Sequence, residues 1–120
     1  MSKSYTELDV WIQSRVLVKS IYEANRVFPK EELFSLVSQM RRSSVSVPSN
    51  IAEGIGRNHT KETIQFLHIA RGSLYELETQ CFISFDLGYV SNLVLDDFLL
   101  KIVSCKRLLN GLINYYISKI

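Results

Sequence analysis

A chain of 120 residues, 47% apolar and 22% charged, has the size and balance of one globular domain, which excludes a disordered segment. Its formal charge of +2 is too small to announce a nucleic-acid binder by itself. Two cysteines, no apolar run of about 18 residues and no apolar leader in MSKSYTELDV give the expectation of free thiols in a reducing cytoplasm, with no membrane span.

Only two prolines and five glycines interrupt the chain, and β-branched residues do not alternate, so helices are expected throughout. The first is read from Thr6 to Phe28. Val10, Leu17, Ile21, Ala24 and Phe28 form one apolar stripe, with Leu8, Trp11, Val18 and Tyr22 beside it. Pro29 ends it, because the residue before a proline is pushed out of the helical region. The second helix is read from Glu31 to about Gly56. Its stripe of Leu33, Val37, Met40, Ser44, Val47, Ile51 and Ile55 keeps helical spacing straight through Pro48. A turn at the proline would reset that phase. One long helix kinked at Pro48 is therefore predicted, at a local cost of about 3 kcal/mol.

Gly56 to His59 read as a connector, with Thr60 as the N-cap of a third helix and Glu62 in its first turn. Leu67, Ala70, Leu74, Leu77, Cys81 and Phe85 make its seam, and Gly88 its C-terminal cap. Ser91 or Asn92 caps a fourth helix, striped by Leu95, Leu99, Ile102, Leu109, Leu112 and Tyr116. Short connections make neighbours antiparallel. The expectation is an all-α, up-down-up-down four-helix bundle forming one domain over residues 1–120. Phe66, Ile69 and Phe82 lie off the main seam of the third helix. That apolar surplus suits a subunit interface, the alternative being edges packed within one chain.

No chemical constellation stands out. Neither His59 nor His68 is preceded three residues earlier by the glutamate of a bundle metal site, and zinc-finger spacing is absent. Gly54-Ile55-Gly56 lacks both a preceding strand and the third glycine of a dinucleotide loop. Glu76 and Glu78 point to different sides of a helix, so they cannot work as an acid–base pair. No enzyme, metal or cofactor is expected. What remains is a polar face on the second helix, with Arg42, Ser46, Ser49, Glu53 and Arg57 at helical spacing and Asn50 beside them. Arg71 and Gly72 lie on the third helix, where a mid-helix glycine costs about 1 kcal/mol and suggests close backbone approach. Two readings stay open. One is a packed polar network around Asn50, Glu53 and Arg71. The other is arginines offered to phosphates, with Arg15, Lys19, Arg41, Arg42, Arg57 and Lys61 as the candidates. Residues 15–71 carry nine Lys and Arg against five Asp and Glu, so the basic excess sits among these candidates.

RRSSVSVPSNIAEGIGR at 41–57, ARGSLYELETQ at 70–80 and LLNGLI at 108–113 resemble a bacterial family. It is the four-helix bundle family of proteins encoded by intervening sequences in 23S ribosomal RNA genes, called S23-like. The accessory protein of diversity-generating retroelements looks similar. The family pattern falls on Arg42, Ser46, Pro48, Asn50, Ile51, Ala52, Glu53, Gly54, Arg57, Gly72, Ser73, Glu76 and Gly111. The resemblance implies a homo-oligomeric ring, typically a pentamer, with a basic surface that binds RNA or DNA. In the retroelement relatives it also implies a reverse transcriptase as partner. The low net charge departs from the markedly basic retroelement members. A protein-interaction scaffold without nucleic acid is the alternative.

Overall fold

Each helix of the bundle closes over a stripe read from the sequence, though not always at the expected ends. In the computed structural model, which describes residues 4–120, the helices are α1 Asp9–Asn25, α2 Leu36–Ile55, α3 Thr60–Asp86 and α4 Asn92–Ile117. α1 packs on α2 and α4, and α3 packs on the same two, while the diagonal pairs make no close approach among the described residues. This is the up-down-up-down arrangement, a rod of 46 × 25 × 20 Å. Leu17, Ile21, Met40, Val47, Ile51, Leu67, Leu74, Leu77, Ile102 and Leu109 fill its axis without solvent contact. Cys81 and Cys105 are buried free thiols among them.

Four ends differ from expectation. α1 is shorter than Thr6–Phe28, because Tyr5–Glu7 form a separate 3-10 turn and the last helical residue is Asn25. The start of α2 at Glu31 is wrong. Lys30–Glu32 are another 3-10 turn, and the backbone of Ser35 (φ −125°, ψ −106°) breaks the path before Leu36. The Glu32 carboxylate turns away to accept the Tyr89 hydroxyl at 2.6 Å, and the Leu36 amide lies 3.5 Å from its other oxygen. Leu33 thus falls off the stripe at 46% exposed, and Phe34 beside it is 92% exposed. The N-cap of α3 is His59 rather than Thr60, its extended backbone presenting a carbonyl to the Glu62 and Thr63 amides.

Other local signals act as read. α2 runs on through Pro48, where the Ser44 carbonyl loses its helical donor while the flanking Val47 and Ile51 are wholly buried. Gly88 takes φ +79° after α3. The Tyr89 amide then reaches the Ser84 carbonyl and the Gly88 amide that of Phe85, both at 2.9 Å. That double closure satisfies two terminal carbonyls and is why a glycine stands there. Ser91 caps α4 by accepting from the Val94 amide at 3.2 Å.

The close approach of α2 and α3 is at Gly54, where a Cβ would stand 2.9 Å from the Phe66 Cβ and 3.1 Å from the Thr63 carbonyl oxygen. Gly72 does not serve that purpose. It is exposed, and a Cβ there would meet nothing within 4 Å.

Candidate nucleic-acid interface

Ser46 is the hub of the polar face. Its Oγ accepts from Asn50 Nδ2 at 2.9 Å and from the Ser73 hydroxyl on α3 at 2.8 Å. Asn50 also donates to the Ser46 carbonyl at 2.8 Å. With two bonds accepted, the Ser46 hydroxyl keeps its own proton as an unused donor. One turn beyond Asn50, Thr63 Oγ1 donates to the Gly54 carbonyl at 2.7 Å, tying the end of α2 to α3. Pro48 and Glu76 border the hub, half-buried and exposed respectively.

The expected single network around Asn50, Glu53 and Arg71 is divided in three. Asn50 serves Ser46, Glu53 pairs with Arg57 at 2.8 Å, and Arg71 Nη1 donates to Asn110 Oδ1 of α4 at 3.0 Å. The reason is angular. Arg71 lies two residues before Ser73, so a rotation of about 200° around α3 turns it from α2 towards α4.

The six basic candidates do not share one surface. Arg57 is held by Glu53 and lies over the Phe66 ring, 4.6 Å from its centroid. It stands about 24 Å along α2 from Arg41 at the helical rise of 1.5 Å per residue. Lys61 is exposed in the first turn of α3. Arg15 and Lys19 are exposed one turn apart on α1, Arg15 over the Trp11 ring at 4.7 Å. Tyr22, next on that stripe, underlies Arg41 of α2, whose guanidinium is 4.5 Å from the ring centroid. Arg42, the neighbouring residue, is exposed. Among the described residues neither Arg41 nor Arg42 has a carboxylate partner, and the buried Arg41 Nε has no acceptor.

Around these two arginines lies a groove of about 780 Å³. Tyr22 of α1 and Leu33 and Phe34 of the connector rim it, and Ser38, Ser43, Val45, Ser46 and Ser49 of α2 line it with Ser73 and Glu76 of α3. Chemically it offers two guanidiniums, hydroxyl donors, an aromatic edge and one carboxylate. Sequence reasoning found Arg41, Arg42, Ser46, Ser49 and Glu76 but missed Tyr22, Leu33 and Phe34. Leu33 shared the phase of the α2 stripe, which hid it. Phe34, off that phase, was a bulky apolar residue with no core position, and that was the available signal.

Elsewhere, burial and hydrogen bonding favour the neutral form of two thiols and a phenol. Burial, aided by the Glu78 charge, pushes the Cys81 thiol up to about 12, and burial alone pushes Cys105 to about 11. The hydrogen bond to Glu32, then desolvation, raises the Tyr89 phenol above its ordinary 10.0. Among the described residues no group of three or more His, Cys, Asp and Glu side chains is placed to hold a metal ion. None of the described helices is long and apolar enough to cross a membrane.

The sequence profile of the family described as 23S rRNA-intervening sequence protein matches residues 6–111. The fold is similar to the crystal structure of a protein with unknown function from the S23 ribosomal protein family of Bacteroides thetaiotaomicron VPI-5482. The TM-score is 0.80 at 20% identity, covering 88% of this chain and 95% of that one. No curated protein matches this chain.

Proposed function

The chain belongs to the 23S rRNA-intervening sequence protein family, and from that premise we propose a non-enzymatic, self-associating bundle that binds RNA or DNA through its α1–α2 face. The observation that carries the binding half is the set of four cations there, Arg15, Lys19, Arg41 and Arg42, none of which is neutralised by a carboxylate among the described residues. Such a face recognises phosphates, with affinity that falls steeply with salt and little dependence on sequence. The protein works in the cytoplasm, where the buried thiols stay reduced.

Self-association is supported by what α3 and α4 leave outside. Ile69, Gly72 and Ile83 share the outward side of α3, and Leu93 and Leu100 are exposed on α4, Leu93 at 82% and Leu100 at 72%. A mid-helix glycine with open space above it favours another backbone coming close. A ring, a pentamer in the form the family resemblance implies, lets weak basic faces act together. The same apolar faces support the second reading, a scaffold for another protein; a reverse transcriptase is the retroelement version of that partner.

Sedimentation and fluorescence anisotropy test both halves. A monomer at micromolar concentration sinks the ring. In about 50 mM salt, where counterion release favours binding most, RNA and DNA of random sequence should bind and Arg15→Glu with Lys19→Glu should weaken them. Undetectable binding there leaves the scaffold reading.

A further inference from the structure

We propose that the groove between α1, α2 and α3 is a pocket for one nucleoside phosphate, its phosphate held by Arg41 and Arg42 and its base stacked on Phe34. The proposal deepens the nucleic-acid reading by naming the unit recognised, and in its strand-bound form rests on that reading. A free mononucleotide and an unpaired nucleotide of an RNA strand present the same chemistry.

Three observations converge. Arg41 and Arg42 are adjacent guanidiniums without carboxylate partners among the described residues, and the pinning of Arg41 on the Tyr22 ring fixes one donor fork in advance. Its Nε is buried and lacks an acceptor, an omission that folded proteins seldom leave unfilled. Phe34 lines the same groove, is 92% exposed and has no aromatic partner among the described residues, so its ring is open to a base. A backbone break at Ser35 puts it there, not packing.

The remaining lining sharpens the ligand class. The volume of about 780 Å³ lies in the range of small-ligand sites. The spare Ser46 proton is a donor for a phosphate or ribose oxygen. Glu76 accepts from a ribose hydroxyl or an exocyclic amine and repels a second phosphate, which favours a single nucleotide unit over a polyphosphate. A base must be unpaired to lie on an aromatic ring, so duplexes are confined to the outer cations.

The full chain is titrated with adenosine monophosphate, inorganic phosphate, a labelled single-stranded RNA of about ten nucleotides and its duplex. Adenosine monophosphate should bind at least tenfold more tightly than inorganic phosphate. Phe34→Ala should weaken single-stranded RNA about tenfold, within the range of a base–aromatic stack, and leave the duplex unchanged. Arg42→Ala should weaken adenosine monophosphate, inorganic phosphate and the single strand. Both side chains are exposed, so circular dichroism and thermal unfolding should stay as in the wild type. Single-stranded and duplex RNA that bind alike and ignore Phe34→Ala overturn the pocket while leaving the nucleic-acid reading intact. Mononucleotide binding that needs Phe34 without any RNA or DNA binding supports the pocket and removes the nucleic-acid reading. Inorganic phosphate matching the mononucleotide overturns the base-stacking half, and no binding of any probe overturns both proposals.

Discussion

Gly54 and Gly72 are both helical glycines, yet alanine should move stability in opposite directions at the two. At Gly54 a Cβ would stand 2.9 Å from the Phe66 Cβ and 3.1 Å from a backbone oxygen, neither being the free end of a flexible side chain. α2 and α3 must separate, an overpacking cost of about 1–3 kcal/mol. The shift also strains the buried 2.7 Å bond from Thr63 to the Gly54 carbonyl, for about another 1 kcal/mol. Against this, alanine recovers at most about 1 kcal/mol of helix propensity. The net is about 1–3 kcal/mol of destabilisation, or a fall in Tm of roughly 4–12 °C for a domain this size. At Gly72 nothing stands within 4 Å, so the propensity term acts alone and alanine should stabilise by about 1 kcal/mol. Urea and thermal unfolding, followed by far-UV circular dichroism on dilute protein, read both. A Gly54→Ala variant as stable as the wild type would refute the close approach of α2 to α3. Should subunits meet at Gly72, the alanine that stabilises the monomer must weaken their association at higher concentration.

Ser46→Ala should cost about 1–2 kcal/mol in urea unfolding, because the buried Ser73 hydroxyl loses its partner on α2. Cys81 and Cys105, with thiols raised to about 12 and 11, should resist a disulfide reagent at pH 8 in the native protein and react fully in denaturant. Rapid native labelling would mean that α3 and α4 open far more than their packing implies. Tyr89 should ionise above the ordinary tyrosine range in an ultraviolet pH titration, and Glu32→Gln should bring it down. Its folded pKa is raised, so the associated stability is whole below about pH 10 and is lost as pH climbs through the folded value. Lys106→Met should leave the partly buried Glu78 unpaired at what was a 2.8 Å ion pair, lowering stability by about 1 kcal/mol or more.

Periodicity made the bundle legible because each stripe reports one buried side, and Pro48 could be placed inside α2 because Val47 and Ile51 keep phase across it. Gly88 was legible for a local reason, the positive φ that ends α3. Ser35 was not. Leu33 stands four residues before Val37, so a stripe counts it as helical whether or not the backbone breaks between them. The destination of Arg71 was equally hidden, since Asn110 is 39 residues away and comes near only once α4 folds back. The groove failed to appear for both reasons together: its rim follows from the break at Ser35, and its floor from the contact of Ser46 with Ser73.

Pro48 divides α2 into halves with different duties. Beyond it, the Gly54 carbonyl fastens the helix to Thr63 of α3, while Asn50 bonds back to Ser46 within α2. Before it, Arg41, Arg42 and Ser46 line open space, but on a backbone whose inner side is buried Met40, Ser44 and Val47. Donors mounted on a fastened helix lose little entropy when a ligand arrives, unlike the exposed side chains of Lys19 and Lys61. The two sets of cations therefore differ in kind. On the proposed reading, those on the open faces of α1 and α3 would attract a phosphate backbone and yield to salt, whereas the groove would bind through fixed geometry and an aromatic ring that salt does not screen. A chain of only +2 net charge gains more from the second device than from the first.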